Sequence, residues 1–139
     1  MDRRAYALRD DASASDGQAF VDSAIAALRP SITRMWIDAL SDRPWHGEAA
    51  AAAADLQRLG GDQTTGIDLD PDSEDQLRLL QGLALHTIHA EAWSDGQLVF
   101  SANDTGSAVL VNVGPTEEEA LRAALSEVGV SLDGVAEVL

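Results

Sequence analysis

Asp95-Gly96 is the pair that most constrains how this chain can fold. Asp-Gly suits a two-residue hairpin loop, because both positions tolerate positive φ and the resulting turn matches the right-handed twist of paired strands. A strand-like run follows it over Gln97–Asn103, with Leu98, Val99 and Phe100. Asn103-Asp104-Thr105-Gly106 is a second turn signal, and Ser107–Val113 is a third run, carrying Val109, Leu110, Val111 and Val113. The run before the hairpin reads two ways. In helical phase, Leu77, Leu80, Ala84 and Ile88 share a stripe; in strand phase, His89, Glu91 and Trp93 share a face opposite Ala90 and Ala92. The hairpin that follows favours a strand over 84–93, giving a three-stranded antiparallel β-meander.

Helical signals surround that meander. Phe20, Val21, Ala24, Ile25 and Leu28 predict a first helix. Pro30 interrupts it, and Ile32, Met35, Trp36, Ala39 and Leu40 predict a second over 31–40. The alanine run 49–54 predicts a third over 48–59, closed by Gly60-Gly61. Residues 65–69 fit a short strand. Asp70 as N-cap and Pro71 at the first position open the next helix, with Asp72, Glu74 and Asp75 in its first turn. Thr116 and Glu119 have capping-box spacing for a last helix, which Gly129 ends. The apolar stretch 130–139 is fit to pack as an edge strand. Residues 1–16 are polar and lack a period, so they read as a flexible N-terminal tail, with Tyr6 and Leu8 as its two apolar handles. The expected architecture is α+β: N-terminal helices, the meander, and a C-terminal helix packed on the sheet, in a single domain over 17–139.

Composition excludes several function classes. With 139 residues the chain suits one domain that needs no covalent staples. It has no cysteine, so thiol nucleophiles, disulfides and cysteine-ligated metals are ruled out. It lacks a membrane-spanning run, and no apolar segment follows the N-terminal arginines as in a signal peptide, so a cytoplasmic location is expected. The net charge is −15, from 24 acids against 9 bases, all arginine. Most of the excess lies beyond residue 43. Such a chain repels phosphate backbones and anionic membranes, so neither nucleic acid nor membrane is an expected partner.

No sequence motif names a reaction. There is no nucleophile elbow, phosphate loop or dinucleotide fingerprint. The alternation Asp68, Asp70, Asp72 resembles the start of a calcium loop but lacks its glycine and its closing glutamate. Of the three histidines, His86 and His89 share a face on a helix and point apart on a strand, so the favoured strand argues against a metal site. No cofactor is expected. His86 and His89 remain ligand candidates, with Glu91 beside His89 on one strand face. Trp45, Trp93, Glu91 and Asp95 are the candidates for partner binding, since tryptophan is enriched at interface hot spots. The expectation is a non-enzymatic acidic module, of immunity, inhibitor, anti-defence or chaperone type, acting on a basic partner. A small ligand-binding or enzymatic domain using His86 or His89 with Glu91, and a structural homo-oligomeric subunit, are the alternatives. Edge strands of a small sheet make a homodimer plausible.

Overall fold

The computed structural model describes residues 3–38, 51, 53–56, 58, 66–87, 89–103 and 108–139. Its centre is one seven-stranded sheet in which every neighbouring pair is antiparallel. The strands are β1 (Arg4–Leu8), β2 (Arg34–Asp38), β3 (Ile67–Leu69), β4 (His89–Ser94), β5 (Gln97–Asn103), β6 (Ala108–Val113) and β7 (Ala136–Val138), in spatial order β3-β2-β4-β5-β6-β1-β7. The helices are α1 (Ala14–Leu28), α2 (Glu74–Leu83), α3 (Pro115–Glu127) and the single-turn α4 (Leu132–Val135). The fold is α+β, and the expected meander, β4-β5-β6, is the middle of a larger sheet.

Asp95 and Gly96 both have positive φ, 48° and 83°, which is the hairpin their sequence predicts. Beyond Ala92 the β4–β5 register shifts, so that Trp93 meets Leu98 and Val99 is the extra residue of a bulge. At the other end of the chain, Gly129 takes φ 75° and closes α3: its N–H reaches Ser126 O, and Val130 N–H reaches Leu125 O, at 3.1 and 2.9 Å. That is a Schellman stop.

Five expectations are corrected. Residues 4–8 are not tail but an interior strand between β6 and β7. Tyr6 is fully buried there, and its partners lie more than a hundred residues away, where local pattern carries no trace of them. Residues 34–38 are strand rather than helix: Met35 and Ile37 are buried on one face while Trp36 lies on the other. The stripe Ile32, Met35, Trp36 fits a helix, but Met35 and Ile37 also alternate with Trp36 as a strand requires, and pairing on both sides, to β3 and β4, decides it. The helix expected to begin at Asp70 begins at Ser73, whose hydroxyl accepts from Gln76 N–H; Asp70 instead turns back on Asp72 N–H. The last helix caps two residues early, with Pro115 at its first position and Glu117 accepting from Gly114 N–H at 2.9 Å. β4 is shorter than expected, because residues 84–87 form a turn after α2. Residues 51, 53–56 and 58 are helical, as the alanine run predicts; the other residues of the helix expected over 48–59, Trp45, His46 and residues 104–107 of the expected second turn lie outside the described residues.

Alternation sorts each strand onto two faces. On one face, Tyr6, Met35, Ile37, Ala90, Ala92, Phe100 and Val111 join Phe20, Ile25, Leu28, Leu80, Leu121 and Leu125 of the helices in a single buried core. α1 is the central helix, packed against both α2 and α3. A buried phenol ties this core to its rim. Tyr6 donates its hydroxyl to Glu118 and accepts from Arg122 at 3.2 Å, and Arg122 continues to Asp133. β1, α3 and the start of α4 are thereby linked.

Candidate functional site

The second face of the sheet carries no helix among the described residues. Arg34, Trp36 and Asp38 of β2, His89, Glu91 and Trp93 of β4, and Leu98, Ser101 and Asn103 of β5 line it, and Leu110 of β6 continues it. Leu110 is 39% exposed.

His89 is the focus of its polar part. Cross-strand pairing sets Asp38 on one side of it and Asn103 on the other, with Glu91 two residues along. His89 Nε2 lies 2.9 Å from Glu91 Oε2, and Nδ1 meets the Asn103 side-chain oxygen. The Trp36 ring packs on the imidazole at 5.2 Å between centroids, tilted by 48°. A histidine that serves as a general acid or base must present a ring nitrogen to a substrate. Here protein groups occupy both nitrogens. The arrangement locks a side chain in place on a sheet surface. The His89–Glu91 pair is therefore present, as the strand reading predicts. His86 does not belong to this face: it is exposed in the turn that leaves α2, ahead of β4.

Of the partner-binding candidates, Glu91 and Trp93 share the face and Asp95 sits in the hairpin at its end. The Trp93 indole N–H is buried without an acceptor among the described residues. Next to Trp93, an apolar groove of about 180 Å³ runs over the face between Leu98, Ser101, Leu110, Ala5 and Leu139. A second hollow lies between Asp55 and the α2 residues Asp75, Arg78 and Leu79. Neither has His89 in its wall. No three metal-ligating side chains gather among the described residues. No described helix is long and apolar enough to cross a membrane.

On the second face the strand acids outnumber the arginines beside them, Arg34 and Arg9. Among its four strand acids, Asp68 pairs with Arg34 at 3.5 Å, Glu137 with Arg9 at 3.9 Å and Glu91 with His89. The fourth, Asp38, accepts from the backbone N–H of Gly66. The helix acids also draw arginines from outside their helices: Arg3 pairs with Glu117, Arg4 with Glu118 and Arg29 with Glu74. α1, α2 and α3 together hold eight acids against two arginines, and six of those acids are exposed. Glu117 is one of the two that are not. Burial pushes its carboxyl up, but the Gly114 N–H, the Ser31 hydroxyl and the Arg3 guanidinium outweigh burial and hold it below its ordinary value.

Alternation within β4 alone places His89, Glu91 and Trp93 on one strand face, and it does not mark Trp36, Asn103 or Leu110 as members of that face. The signal for Leu110 was present in the alternation Val109, Leu110, Val111, and for Trp36 in Met35, Trp36, Ile37. Compared with known proteins, the chain matches no family model, no curated protein and no solved structure.

Proposed function

We propose that this chain is a non-enzymatic acidic protein-binding module whose partner is basic, in the manner of an immunity, inhibitor, anti-defence or chaperone-type protein. The observation that carries this is the acidic helix layer, with eight acids against two arginines on three neighbouring helices. A surface with a large excess of one sign, consistent with the net charge of −15, raises the encounter rate with an oppositely charged protein and repels like-charged ones. The closed His89–Glu91–Asn103 arrangement speaks against the enzymatic alternative, because His89, the one histidine on the face among the described residues, has both ring nitrogens engaged by protein groups.

The test is recovery of partners by the tagged chain from its host lysate at low and at high salt. A basic protein recovered in stoichiometric amount and lost at high salt is the expected result. An acidic or neutral partner, or a complex indifferent to salt, would remove the charge basis of the proposal.

A further inference from the structure

We draw no further inference here: the strongest candidate, the apolar groove of about 180 Å³ over the second sheet face between Leu98, Ser101, Leu110 and Leu139, carries nothing, because no described residue shows what covers it.

Discussion

The two faces of the sheet are made from alternate residues of the same strands, yet they solve different problems. Beneath the helices, β4 contributes Ala90 and Ala92 and β5 contributes Phe100 and Ala102, all fully buried. On the opposite face the same strands present His89, Glu91, Trp93, Ser101 and Asn103, most of them half-buried. The first face gains its stability from packing against α1, α2 and α3. The second holds its polar groups in pairs and leaves Leu110 in solvent. A side chain's contribution to the fold should therefore depend on its parity along the strand more than on its size.

The strongest test of that contrast pairs Phe100→Ala with Leu110→Ala in neighbouring strands. Phe100→Ala should cost about 3–5 kcal/mol, and Leu110→Ala less than about 1 kcal/mol, in urea unfolding of dilute protein. Comparable losses would mean that the second face is covered within the chain, and the contrast would collapse. Next in size is His89→Ala. Glu91, with its side chain 15% exposed, would lose its ring partner, at about 1–3 kcal/mol. Glu91→Gln in the same background should recover part of that loss, a coupling read from the double-mutant cycle.

Tyr6→Phe probes the helix side. It removes a hydroxyl that joins Glu118 and Arg122 and should lower stability by about 1–2 kcal/mol. The smallest effect is a pH dependence confined to the same side. Because the Glu117 carboxyl is held below its ordinary 4.5 in the folded chain, it stabilises the fold above that pH, and the contribution is lost as pH falls through the lowered value. Glu117→Gln should flatten the acid limb of the stability curve by at most about 1 kcal/mol. An unchanged limb would show that Arg3, Ser31 and Gly114 do not hold this carboxylate in solution.

Local chemistry was legible where one residue pair or one turn decides the conformation. The Asp95-Gly96 hairpin, the Gly129 stop and the β5 and β6 strands are of this kind. What the sequence concealed depends on distant partners. Met35-Trp36-Ile37 fits a helix stripe and a strand alternation alike, and pairing with residues 67–69 and 89–93 selects the strand. Residues 4–8 look like tail because what buries Tyr6 comes from β6, β7 and the far helices. The candidate site was half visible. Glu91 beside His89 follows from alternation within β4, but Asn103 and Trp36 join them only through registers that no single strand encodes.

The position of β1 has a consequence for how the molecule is made. It is the first strand synthesised, yet it pairs with residues 110–113 on one side and 136–138 on the other. Until those segments emerge, Tyr6 and its neighbours have no strand to join, and once β6 has formed, β1 keeps an open outer edge until β7 arrives. Closing so long a loop is entropically slow. Assembly of the sheet should therefore wait on residues 110–138, with the outer edge of β1 exposed to wrong pairing until β7 joins it.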